Sequence, residues 1–315
     1  MNELLRRYGA SLTAIFAGLT AFWLLCLVIL PDIYLFEESF RPYLPVTEVG
    51  GPKDVYSFNN YLAAFTQPTD WKLWLPFAGA PLIMPVQLPI HVQVFIHTIV
   101  FSSLTTVLAF LITYPVAYYL SKVANPKNVP LLFLLLLVPM WVSEILRAFA
   151  WFIILAFKGP LNVSLIGLGL TSGPIRFMTG FNSVILGLIY VYLLFMLLPV
   201  YNAIQSLDSN QIEAAQDLGS PWWRTHWRVI LPHSKPGIAS GSVTVFMLAA
   251  GSILVPTLLA STQSRWFTEI IQQWMFESQD WNTGSAYAFM LLIACTIFVT
   301  LVMRLFKVKL SDIAK

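Results

Sequence analysis

Six stretches of this chain are almost wholly apolar and long enough to cross a lipid bilayer, and this pattern limits the possible folds more than any motif does. They cover residues 11–30, 92–120, 129–157, 181–204, 237–260 and 282–304. Twenty helical residues at about 1.5 Å each span a hydrocarbon core of about 30 Å. Inside these stretches the only charges are Glu144 and Arg147 on the third and Arg304 at the very end of the last. The whole chain is 57% hydrophobic and 10% charged, against roughly 25% charged residues in soluble domains. Such surface must face lipid or other helices within lipid, and in lipid only closed hydrogen-bonded elements survive. The expectation is an all-α, polytopic membrane bundle of six transmembrane helices. A net charge of +3 gives no footprint for nucleic acid. Cys26 and Cys295 both fall inside apolar stretches, read as small packing residues, and form no CxxC pair.

The predicted organisation is a short polar N-terminus (1–10), a first span (11–30), a long polar loop (31–91), five further spans over 92–304 interrupted by a polar loop at 205–236, and a C-terminal tail (305–315). The first span is too long for the apolar core of a cleaved signal peptide and is read as retained. Residues 74–90 carry Pro76, Pro81, Pro85 and Pro89. Four missing donors exclude a lipid-exposed helix there, so this segment is placed at the interface or against the protein. Residues 161–173 are too short and Gly-rich to span and suit an interfacial or re-entrant helix. Pro115, Pro139, Pro199 and Pro256 interrupt other spans, as packing kinks or as parts of a bundle that moves.

Orientation follows from the basic residues. Arg6, Arg7, Lys122, Lys127, Arg224, Arg228, Lys235, Arg304, Lys307, Lys309 and Lys315 all fall on one side of a six-span arrangement. The positive-inside rule makes that side cytoplasmic, with both termini inside. The loop 31–91 is then external; it holds six acidic residues against three basic ones, and its Trp71 and Trp74 suit an interfacial belt.

The loop between the fourth and fifth spans is the most informative segment. Asp208 or Ser209 caps a helix that includes the strong helix formers Glu213, Ala214 and Ala215. Gly219 ends it in a left-handed conformation, and Pro221 suits the first turn of a second short helix. Two short helices with a sharp bend at Gly219 are expected, with Trp222, Trp223 and Trp227 as apolar anchors for a membrane surface or a partner.

These residues carry a resemblance. Glu213-Ala214-Ala215, three residues, Gly219, nine residues, then Val229-Ile230-Leu231-Pro232 resembles the EAA–Gly–Ile-x-Leu-Pro motif of permease subunits of binding-protein-dependent ABC importers, with Val229 where Ile is usual. Further segments resemble the spermidine/putrescine-type branch: Ser57-Phe58-Asn59-Asn60-Tyr61, Tyr114-Pro115-Val116-Ala117-Tyr118, Trp141-Val142-Ser143 followed by Arg147, Ala150 and Trp151, and Gly159-Pro160-Leu161-Asn162. Leu198-Pro199 and Asp208 fit as well. The first 56 residues match only in general plan.

The resemblance implies a type I ABC importer permease (MetI-like) fold. It implies two copies of an ABC ATPase, a second homologous permease and an external solute-binding protein as partners. Glu213, Ala214, Ala215, Asp217, Gly219, Leu231 and Pro232 would then couple the loop to the ATPase. It also implies a bacterial inner membrane, and a polyamine or related organic amine as solute. Opines, amino-acid derivatives and anions remain alternatives. Independently, no GxxxxGK[ST] loop exists in the chain, so ATP and Mg are assigned to a partner and the chain itself is expected to catalyse nothing.

Glu144 and Arg147, three apart, share a helix face. They form either an intrahelical pair that fixes the third span against a neighbour or, with Trp141 and Trp151, part of the translocation path. His91 and His97 are six apart, and His226 and His233 seven, neither being the spacing of a helical metal site, so interfacial hydrogen bonding and loop packing are expected of them. An ion-coupled carrier would need carboxylates in several spans, and a membrane enzyme a clustered acid/base pair or metal site. Neither pattern is present in the sequence.

Overall fold

A computed structural model describes residues 2–45, 47–66, 68–74, 81–261 and 264–308. Pro76, Lys309 and Lys315 lie outside the described residues. Helix α1 (Asn2–Leu24) is kinked at Gly9 and passes through a π turn, Leu25–Ile29, into α2 (Leu30–Phe40). The first span thus runs ten residues past its predicted end, through a π turn that closes with Leu30 N donating to Leu25 O just before Pro31. A short α3 (Asn59–Leu62) follows, then a hairpin of β1 (Pro68–Leu73) and β2 (Leu82–Pro89). Next come α4 (Ile90–Tyr118), α5 (Val129–Leu137), α6 (Glu144–Leu155), α7 (Pro160–Gly167) and α8 (Asn182–Gln205). The polar loop holds α9 (Ser209–Asp217) and α10 (Trp222–Thr225) and leads through α11 (Leu231–His233) to α12 (Lys235–Ala250). The chain ends with α13 (Leu254–Leu259), α14 (Phe267–Gln272) and α15 (Trp281–Phe306).

Two expectations are corrected and one is sharpened. Of the proline-rich segment, Leu82–Pro89 lies against the protein as a strand: β2 pairs antiparallel with β1, and the register slips between Asp70 and Trp71, opposite Pro85 and Val86, where proline removes a ladder donor. The third span is not one helix. A 3₁₀ turn at Val138–Trp141 contains Pro139, and extended backbone at Val142 and Ser143 separates α5 from α6. The fifth span is likewise broken at Gly251–Ile253, between α12 and α13. Among the described residues, five helical stretches are long and apolar enough to cross a membrane, and Val129–Trp141 is a shorter apolar one.

The chain divides into two compact units. The first comprises Met1–Thr66 with Ile271–Met290. Leu12, Ile15, Phe16, Leu19, Phe22 and Trp23 are exposed along its first helix, as a lipid-facing surface requires. The carbonyls at the end of α2 are closed by two side-chain amides: Asn60 Nδ2 donates to Ser39 O (2.9 Å) and Arg41 O (2.8 Å), and Asn282 Nδ2 to Glu38 O (3.1 Å). Phe36 and Phe289 meet edge to face at 5.3 Å.

The second unit comprises Gln67–Ile270 with Leu291–Lys315. Its core is the mutual packing of α4, α8 and α12, with Phe101, Leu188, Met196, Leu197, Val200, Ile204 and Phe246 fully or nearly fully buried. The helices α8 and α12 approach closely because Gly237 and Gly241 face α8. A Cβ on Gly237 would lie 2.3 Å from Pro199 O, and one on Gly241 would lie 2.7 Å from Met196 Sδ. Gln93 fastens the hairpin to α4, its Nε2 donating to Leu88 O (2.9 Å) and Thr69 Oγ1 (3.0 Å). Trp74 is buried against Gly180 and Phe181, and Trp71 is half-buried, so this pair forms no exposed belt.

Candidate functional site

The polar loop is built as a bend between two rigid arms. Asp208 caps α9, its carboxylate accepting from Asn210 N at 3.0 Å. At the other end Gly219 adopts φ +76, Gly219 N donates to Gln216 O (2.8 Å), and Ser220 N donates to Ala215 O (3.0 Å). These two bonds make a complete Schellman closure, which needs a residue in the left-handed region. Pro221 then initiates α10 in extended conformation. The second arm is not a separate short helix. It continues through a π turn, His226–Ile230, and through α11 into α12, with only Ser234 as a turn between them. The loop therefore leads almost directly into the fifth span.

One face of the bend is anchored and the other is free. Ile212, Thr225, His226 and Ile230 are buried. His226 Nδ1 lies 2.7 Å from Tyr114 Oη, and its ring meets Tyr118 at 4.5 Å and Trp222 at 4.2 Å. The Tyr-Pro-x-Ala-Tyr element thus supplies two tyrosines that hold the loop through a histidine for which the sequence suggested only loop packing. Its Nε2 is buried without a partner, and burial pushes the imidazole pKa down. Lys122 Nζ reaches Leu207 O and Gln205 O, tying the end of the second span to that of α8. His233 Nε2 lies 3.1 Å from Ser206 Oγ.

On the free face, Glu213, Ala214, Asp217 and Gly219 are exposed and Ala215 is half-buried. Leu218 is 89% exposed and Trp222 68%, which leaves bulky apolar groups in solvent beside two carboxylates. Leu231 is half-buried and Pro232 exposed; both belong to the second arm. Single exposed apolar residues are ordinary, but a cluster of them at a bend is what a partner surface requires.

The third-span charges sit elsewhere. Glu144 and Arg147 form no ion pair; each turns to α8 instead. Tyr192 Oη donates to Glu144 Oε1 (3.0 Å), and Arg147 Nη1 donates to Val191 O (3.2 Å). Glu144 begins α6, where the break at Ser143 leaves its carboxylate free to point away from Arg147. Trp141 is 81% exposed, while Trp151 packs edge to face on Tyr190 at 5.6 Å. The structure brings Glu144 and Tyr192 together and leaves Trp141 outside that group. Asn162, buried, bonds Ile175 in both directions, its Nδ2 donating to Ile175 O at 2.9 Å and Ile175 N donating to its Oδ1 at 2.8 Å, so this motif residue ties the segment after α7 back to that helix.

A helical bundle with a capped, bent loop leading into an interrupted span is the layout of a transport permease. The chain belongs to the family described as binding-protein-dependent transport system inner membrane component, whose profile matches residues 128–311. It is 38% identical over 213 residues to the spermidine/putrescine transport system permease protein PotB of Haemophilus influenzae, covering 67% of this chain and 74% of that one. It is 30% identical over 282 residues to PotB of Escherichia coli, covering 90% and 93%. In fold it is similar to a bacterial ABC transporter for the acidic polysaccharide alginate, with TM-score 0.68, 18% identity and 97% of both chains covered. It is also similar to that transporter in complex with a periplasmic protein bound to alginate pentasaccharide, with TM-score 0.64, 18% identity, and 98% and 99% covered. The protein is a multi-pass inner-membrane permease.

Proposed function

We propose that the chain forms one half of the translocation path of an ABC importer for a polyamine or related organic amine. A second, homologous permease supplies the other half, two ATPase subunits carry ATP and Mg, and an external binding protein delivers the solute. The termini and the polar loop are cytoplasmic, as the basic residues direct. The observation that carries the coupling role is the Schellman bend at Gly219. It presents Glu213, Asp217 and Leu218 outward on the first arm and Trp222 on the second, the arm that leads into the fifth span. Closure of an ATPase pair on that face moves the arm, and the interrupted spans give the bundle places at which to change packing. The amine is supported by the PotB relatives. A ligand screen on the cognate binding protein tests it: tight binding of spermidine or putrescine is expected, and binding of sulfate or phosphate alone would remove the amine. Co-purification of an ATPase with the chain tests the coupling.

A further inference from the structure

The two interrupted spans meet. The helix α6, which starts at the break in the third span, packs against α13, which starts after the break in the fifth. A cavity of about 250 Å³ lies at the junction, lined by Glu144, Tyr192, Met247, Leu248 and Gly251–Leu254. It is open on one side and roomy enough for several waters, or for a charged end group and a few methylenes.

Most polar backbone at the fifth-span break is already satisfied. Trp266 Nε1 donates to Ala249 O (3.1 Å) and Thr268 Oγ1 to Ser252 O (2.6 Å). The side chain of Ser252 is different: the residue is 5% exposed, and its Oγ is buried without a hydrogen-bond partner among the described residues. Such a group normally has a partner. Among the described residues, Glu144 brings the only formal charge in the cavity wall and has no cation within 4.0 Å, since Arg147 is turned to Val191 O. The C-terminal end of α12 adds partial negative charge to the same wall.

We propose that this cavity seats a primary ammonium group of the transported solute, an assignment that rests on the amine reading above. An ammonium has three donors. Glu144, Tyr192 Oη and Ser252 Oγ supply three acceptors, and the cation meets a carboxylate that the protein leaves without a counter-charge. Met247, Leu248 and Leu254 would take the methylenes behind it.

The test is uptake of radiolabelled putrescine and spermidine by the assembled transporter reconstituted in vesicles with its binding protein. Loss of one charge-assisted partner corresponds to roughly tenfold in affinity or more. Glu144→Gln should raise KM by about that factor while binding-protein-stimulated ATP hydrolysis persists, and Glu144→Asp should recover part of it. Ser252→Ala should raise KM about fivefold, as for a neutral bond. Unchanged KM in Glu144→Gln overturns the subsite and leaves the amine importer standing. Loss of uptake together with loss of stimulated ATP hydrolysis also overturns it, since that marks Glu144 as structural. If Glu144→Gln fails to reach the membrane, Ser252→Ala decides alone, and unchanged KM there overturns the proposal. Absence of amine uptake by the unaltered transporter overturns both readings together.

Discussion

At Gly219 the chain needs a backbone conformation rather than space. A Cβ there would meet nothing within 4 Å, yet φ is +76. The left-handed region costs a non-glycine residue about 1–2 kcal/mol. We expect Gly219→Asn to transport nearly normally and Gly219→Ala to lose several-fold in uptake. Gly219→Trp should abolish it, because the open space beside the bend is the space a docked partner fills. Uptake measured with the chain's membrane level held equal checks the series, and equal transport by all three would remove the coupling role. His226 makes a pH-dependent prediction. Its folded pKa lies below the unfolded value of about 6.5. The unfolded loop therefore binds more protons, and stability falls as pH drops through about 6.5 toward the folded pKa. Protonation would place a charge on a ring whose Nε2 is buried without an acceptor. Hydrogen exchange of residues 222–230 should quicken below pH 6.5, and His226→Gln should show no such step.

At the scale of elements, the contact between α8 and α12 depends on Gly237 and Gly241, one turn apart on one face. Gly237→Leu would drive a side chain into Pro199 O and Ala203, where backbone cannot yield. Overpacking costs typically about 1–3 kcal/mol, and against backbone we expect the upper end, read as a lowered thermal midpoint in detergent. The end of α2 offers a milder case. Asn60→Ala leaves Ser39 O and Arg41 O without their side-chain donor, while Asn282 still serves Glu38 O, at a cost of about 1–3 kcal/mol. The spans themselves were readable because lipid demands long uncharged runs, whereas Pro139 and Pro256 marked their breaks only as kinks. Val142-Ser143 and Gly251-Ser252-Ile253 are uncharged and uninterrupted by proline, so hydropathy passes over them. At the fifth-span break the support is tertiary: Trp266 Nε1 and Thr268 Oγ1 donate to Ala249 O and Ser252 O, on either side of Gly251. The hairpin escaped for a related reason, since its prolines excluded a helix without indicating a partner strand.

For the whole molecule, the side on which each terminus lies follows from basic residues spread over several loops. A fluorescent reporter fused after Lys315 should fold in the cytoplasm, and a periplasmic-only reporter there should be silent; the reverse result would invert the topology. The bend of the polar loop was legible from Asp208, Gly219 and Pro221 because caps and turns are local chemistry. The attachment of its second arm to the fifth span was not, nor was the grip of Tyr114 on His226, 112 positions apart. That attachment passes through the π turn at His226–Ile230, which holds one residue more than an α turn needs. One residue of an α-helix is about 100° of rotation. The surplus residue therefore acts as a phase setting between gearwheel and shaft. Deleting Trp227 should turn Trp222 and Trp223 by about a quarter of a circle relative to the fifth span, so a single codon sets the aim of this contact, although the deletion also removes the exposed Trp227 from it.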